Sequence, residues 1–288
     1  MVKNVQDTNL TRAVVPLLVW NKDFAADGVK TPVGKAGTAF FVEYKSNIYA
    51  ITASHCLNRV SHDDLFIAIP GDIMKSLPVS NVIDSFYNGT PDIGTEITVI
   101  KLPLFEVLIK RFENYSFLLS RQILNTPYFK RQLRLLRNGK IKNISTLFES
   151  NFYKHIKNLQ EHEIAHNIEK AYPSEFKILN LKLAEDDFVP SGAVCQLLGF
   201  PKYGFDIDYD VSSIKTLLRG VAIKFLVYNK ETRDYIFQYE TDEELDGCSG
   251  GPVIYNDRVI GVAHSVQKRE NILKVSPFSK KFMEKLNL

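Results

Sequence analysis

The amino-acid sequence predicts a mostly β protein interrupted by one block of helix. Short runs rich in β-branched and aromatic residues recur between turn residues, as strands do. From about residue 104 to 176 the hydrophobic period becomes helical and glycine shrinks to Gly139 alone. The strand pattern resumes at Ile178 and continues almost to the C-terminus. These shifts divide the chain into a β unit over 1–103, a helical insertion over 104–177 and a second β unit over 178–288 that ends in a short helix.

Residues 13–20 predict the first strand, followed by a polar loop with Asp27-Gly28. Gly34-Lys35-Ala36-Gly37-Thr38 opens a strong strand over 39–44, Lys45-Ser46-Asn47 turns it, and 48–52 is the return. Residues 65–69 and 79–86 predict further short strands, and Glu96-Ile97-Thr98-Val99-Ile100-Lys101-Leu102 another. In the insertion, 105–124, 128–137 and 145–170 read as helical, with Pro127 and Asn138-Gly139 as stops. Residues 192–201 predict a strand running into a turn, and 220–228 with 235–240 a strand pair. Residues 252–255 and 258–263 flank Asn256-Asp257, a two-residue connection suited to a tight hairpin. Residues 279–288 predict the terminal helix.

Bulk composition narrows the function classes. With 45% hydrophobic and 24% charged residues, the 288-residue chain has the balance of a soluble globular protein. A formal charge of +3 directs it to neither nucleic acid nor membrane. The basic run Lys130-Arg131-Gln132-Leu133-Arg134-Leu135-Leu136-Arg137 reads as a solvated helix face over an apolar stripe. No stretch approaches the ~20 apolar residues that span a bilayer. The first 19 residues lack the order of a secretory signal, so a cytoplasmic location is expected, taking Met1 as the natural start. Three cysteines, Cys56, Cys195 and Cys248, make no disulfide framework and read as free thiols in a reducing compartment.

The chemistry lies in two short motifs. Gly247-Cys248-Ser249-Gly250-Gly251-Pro252 sets a serine in a glycine frame, and Ala53-Ser54-His55-Cys56 places a histidine after an apolar run. A serine hydroxyl needs a base within hydrogen-bond reach to become a nucleophile, and imidazole suits that task near neutral pH. The base needs an acceptor that fixes its tautomer. The developing oxyanion needs preorganised N–H donors, a role open to the backbone of Gly247 and Ser249. Gly250 and Gly251 keep the wall free of side chains, so a substrate backbone can approach.

These motifs resemble those around the nucleophile and the base of trypsin-like (chymotrypsin-fold) serine proteases. Gly37 to Val42 resembles the strand that precedes the base, and the acidic stretch before Gly199-Phe200-Pro201 resembles the opening of the second barrel in bacterial members. The resemblance covers roughly 30–103 and 178–288. It implies two six-stranded antiparallel β-barrels with the active site between them, a polypeptide substrate, and no cofactor or metal. It implies His55 and Ser249 as catalytic. The family's acid opens a strand, where this chain has Glu96, with Asp92 as the alternative. Glu243, His264 and Ser265 fall where the family binds substrate, and an acid at Glu243 would favour Arg or Lys. Cys248 replaces the aspartate that pairs with a newly cut N-terminus in digestive trypsins, so that activation route is not expected.

The same residues admit rival chemistries. The serine motif also matches the nucleophile elbow of α/β-hydrolases, but that fold needs a helix after the serine and its histidine downstream. His162-Glu163-Ile164-Ala165-His166 matches a zinc-protease pattern on a candidate helix, with Glu185 the third ligand on offer. The default for this pattern is a polar helix face. On the trypsin-like fold itself, the motifs also suit a peptide-binding module without turnover or an esterase-like hydrolase. The insertion is a candidate docking surface for a protein regulator.

Overall fold

The structure, a computed structural model, describes residues 3–4, 13–20, 33–58, 61, 65–69, 72–78, 85–88, 96–102, 134, 138, 180–201, 205–208, 213–216, 218–240 and 245–286. Two seven-stranded antiparallel sheets dominate it.

The first sheet holds β2 (Val14–Trp20), β3 (Val33–Tyr44), β4 (Asn47–Ala53), β5 (Leu65–Ile69), β6 (Asp72–Pro78), β7 (Ser85–Asn88) and β8 (Ile97–Lys101), in the order β6-β5-β2-β3-β4-β8-β7. Strands β3, β4 and β8 are buried on both faces, which is why the sequence shows runs such as Ala39-Phe40-Phe41-Val42 instead of clean alternation. Ala39, Phe41, Ala50 and Ile100 point into the sheet's own core. The alternate residues Phe40, Val42, Tyr49, Ile51 and Val99 point to the other half of the molecule. Lys45 and Ser46 turn the β3–β4 hairpin with φ of 48° and 60°. Both central residues in the left-handed region match the twist of the flanking strands.

The second sheet holds β9 (Val194–Gly199), β12 (Arg219–Asn229), β13 (Asp234–Tyr239), β14 (Pro252–Tyr255), β15 (Arg258–Gln267) and β16 (Ile272–Pro277), with β1 (Lys3–Asn4) added on β12. Because β12 pairs with both β13 and β9, six strands close into a ring. Register shifts in β12, β14 and β15 bend the strands, as closure requires. Val221, Ile223, Phe225, Phe237 and Val275 fill the interior. β10 (Phe205–Asp208) and β11 (Ser213–Thr216) form a separate hairpin.

A third core joins the halves. Phe40, Tyr49 and Ile51 meet Leu198, Phe200, Val259, Val262, Phe278 and Met283 there. Met283 belongs to the terminal helix α2 (Lys280–Leu286), and α1 (Ser54–Asn58) is a single turn after β4.

Most expected strands recur within a few residues. Of the expected strand over 79–86, Ser85 and Phe86 belong to β7, and 79–84 lie outside the described residues. β1, β6, β10, β11 and β16 were not expected. Of the insertion, the structure describes only Arg134 and Asn138, whose backbones share a hydrogen bond of helical spacing (3.1 Å). The remaining insertion, including 162–166, lies outside the described residues.

Candidate active site

β4 and β8 are neighbours in the first sheet, with Ala53 opposite Ile97. One step further along this register stand Ser54 and Glu96, joined from Ser54 N to Glu96 O at 3.1 Å. The turn of α1 then presents His55. Its Nδ1 lies 3.3 Å from Glu96 Oε2, and both side chains are 25% exposed. With a carboxylate as acceptor, Nδ1 carries the proton and donates it, which makes Nε2 the nitrogen that can take another. Of the two carboxylates in question, Glu96 is therefore the one found on His55; Asp92 lies outside the described residues.

The serine segment is built by the second sheet and bonded to the first. Gly250 N donates to Ala263 O (2.7 Å) and Ala263 N to Gly251 O (2.9 Å), which fixes the turn on β15. Across the divide, Thr38 N donates to Ser249 O (2.7 Å), and Thr38 Oγ1 donates to Gly247 O (3.0 Å) and accepts from Phe200 N (3.1 Å). Thr52 Oγ1 donates to Thr38 O at 2.7 Å. Cys56, next to His55, directs its thiol to Ser249 O at 3.7 Å.

This seam leaves no room for side chains. A Cβ on Gly250 would meet Thr38 O at 2.0 Å, and Gly250 has φ +86°. A Cβ on Gly37 would meet Cys56 Sγ at 2.6 Å and Ser249 O at 2.9 Å. Gly247 has φ +91°, and neither its N–H nor that of Ser249 has a backbone acceptor among the described residues.

Ser249 Oγ donates to His264 O at 3.4 Å. The imidazole of His264 is turned away to Asp234, with Nε2 at 3.0 Å from Oδ1 and both side chains 8% exposed. His264 stands at the bulge of β15, between Ala263 opposite Val275 and Ser265 opposite Lys274. Ser265 is half-buried, and Glu243 lies outside the described residues. The three cysteines are buried and none is in a disulfide. Burial pushes the Cys195 thiol up to about 12, far from nucleophilic character at neutral pH. Cys248 fills the space facing Gly199. Among the described residues no cluster of side chains could hold a metal ion.

Sequence reasoning missed Thr38, Thr52, Asp234 and Ser276. Each is buried and polar, and each acts through a partner distant in the chain.

No protein-family model matches the sequence, and no curated protein matches it. Solved structures do match the fold. Human heparin binding protein superposes with a TM-score of 0.52 at 10% identity, over 99% of this chain and 94% of that one. The chain has the trypsin-like, chymotrypsin-type serine protease fold. The VesB protease of Vibrio cholerae (TM-score 0.50, 10% identity, 99% of this chain and 65% of that one) has the same fold. So does a scabies mite inactivated protease paralogue (0.50, 13%, 97% and 96%). Since an inactivated paralogue shares it, the trypsin-like fold leaves activity to be argued from the site.

Proposed function

We propose that this chain is a serine endopeptidase. Ser249 Oγ attacks the scissile carbonyl while His55 Nε2 takes its proton and returns it to the leaving amine. Glu96 holds the imidazole in the Nδ1–H tautomer and stabilises the imidazolium. The N–H groups of Gly247 and Ser249 receive the oxyanion. The carrying observation is the bond of His55 Nδ1 to Glu96, on the sheet to which the serine's own backbone is bonded through Thr38. An oxyanion hole is supported by the two N–H groups at a left-handed glycine. His264 O, beside Ser249 Oγ, is suited to bind substrate main chain, with Ser265 next to it. A preference for Arg or Lys rests on Glu243 and its acidic neighbours in sequence alone.

The reading includes a cytoplasmic location, which the absence of disulfides among the three cysteines favours. Among the described residues no helix is long and apolar enough to cross a membrane. The residues between the barrels, 104–177, are proposed as a docking surface for a protein regulator.

A fluorophosphonate probe tests the reading. Ser249 is expected to be labelled, and labelling to vanish in Ser249→Ala and His55→Ala. Each substitution should lower kcat on a peptide by on the order of 10⁴–10⁶. A folded protein that the probe never labels would favour a peptide-binding module without turnover. The bond of Ser249 Oγ to His264 O is the observation on that side. Hydrolysis of esters but not peptides would favour the esterase.

A further inference from the structure

We propose that Ser276 is a positioning residue through which the second barrel sets Glu96, and with it His55; the inference rests on the catalytic reading above. Ser276 lies on β16 and is fully buried. Its Oγ accepts the backbone N–H of Glu96 at 3.1 Å, a contact between residues 180 apart in sequence. β8 starts at Ile97, so this N–H belongs to no sheet ladder.

Glu96 is thus held at three points. Its carbonyl takes Ser54 N, its carboxylate takes His55 Nδ1, and its N–H goes to Ser276. The first two tie the acid to the base within the first sheet. The third comes from the barrel that holds the nucleophile. Ser276 pairs with Val262 on β15, and the next residue, Ala263, bonds Gly250 and Gly251 in the turn that follows Ser249. A single hydroxyl therefore references the acid to the ladder that carries Ser249.

The same contact explains how a glutamate serves here. Its side chain is one methylene longer than aspartate, so its backbone must sit further from the imidazole. The Ser276 hydroxyl holds that backbone where the carboxylate still reaches Nδ1 at 3.3 Å. Without it, the Glu96 N–H would lose its partner and the acid one of its three fixed points.

The test uses the full chain and two readouts that a purely structural role would not move together. In Ser276→Ala, confirmed folded by its thermal melt, kcat should fall roughly three- to tenfold with KM unchanged. The low-field proton signal of His55 Nδ1, assigned by its loss in His55→Gln, should shift upfield or broaden. Ser276→Thr, which restores a hydroxyl, should recover both. Wild-type values of kcat and of this signal in folded Ser276→Ala would overturn the proposal. If Ser276→Ala does not fold, Ser276→Cys, of similar size and a poor acceptor, gives the same two readings. A wild-type protein without turnover would sink the catalytic reading, while the His55 signal would still decide the role of Ser276.

Discussion

On the proposed reading Glu96 stands in for the aspartate of trypsin-like enzymes with one more methylene, and it bonds His55 Nδ1, the nitrogen that such an acid must hold. In Glu96→Gln the shape is kept and the charge is lost. The amide can then favour the wrong tautomer of His55, and it no longer stabilises the imidazolium. We expect kcat to fall by about 10²–10⁴ while the melting temperature changes little, measured by steady-state kinetics beside calorimetry. Ser249 and His55 stood out in the sequence because each sits in a local motif whose neighbours constrain it, whereas Glu96 was read with Asp92 as its alternative. Thr38 did not stand out, because its partner at Gly247 lies 209 residues away. Asp234 and Ser276 were silent for the same reason: nothing local distinguishes them from ordinary polar strand residues.

The strand elements were legible where they are apolar and bounded by turns, as in β3, β4 and β12. The Asn256-Asp257 connection does form a tight turn, with both residues at positive φ. β16 was missed although Leu273 and Val275 alternate inward, because the residues that alternate with them, Lys274 and Ser276, are polar and it ends at Pro277. The insertion makes a prediction of its own. Leu102 N bonds Ile48 O on β4 (2.9 Å), and Leu181 N bonds Phe41 O on β3 (2.8 Å). The exit and return points are thus separated by three strand spacings, about 14 Å. A flexible linker of about eight residues spans that distance. Replacing 103–179 by such a linker should leave one cooperative melt and intact fluorophosphonate labelling. Loss of the fold would show that the two barrels depend on this stretch.

At the scale of the molecule, each sheet has its own core and a third core joins the two halves. Phe278 centres the shared one: it is fully buried, and its ring meets Phe40 (6.2 Å between centroids) and Phe282 (5.4 Å) edge-on. Phe278→Ala should cost about 3–5 kcal/mol in urea unfolding. Because this core joins the halves that meet at the seam, kcat should fall as well on the proposed reading, whereas an equal loss inside the second sheet's own core at Phe237 should spare it. The seam also bears on how the protein is made. The thiol of Cys56 and the carbonyl of Ser249 that it faces are 193 residues apart. At ordinary ribosomal speed roughly 10–40 s separate their synthesis. The turn bearing Ser249 is fixed only after Ala263 has been added. A nascent chain therefore carries its histidine and glutamate well before any serine can stand beside them, and on the proposed reading it cannot cut its neighbours until Ala263 has been made.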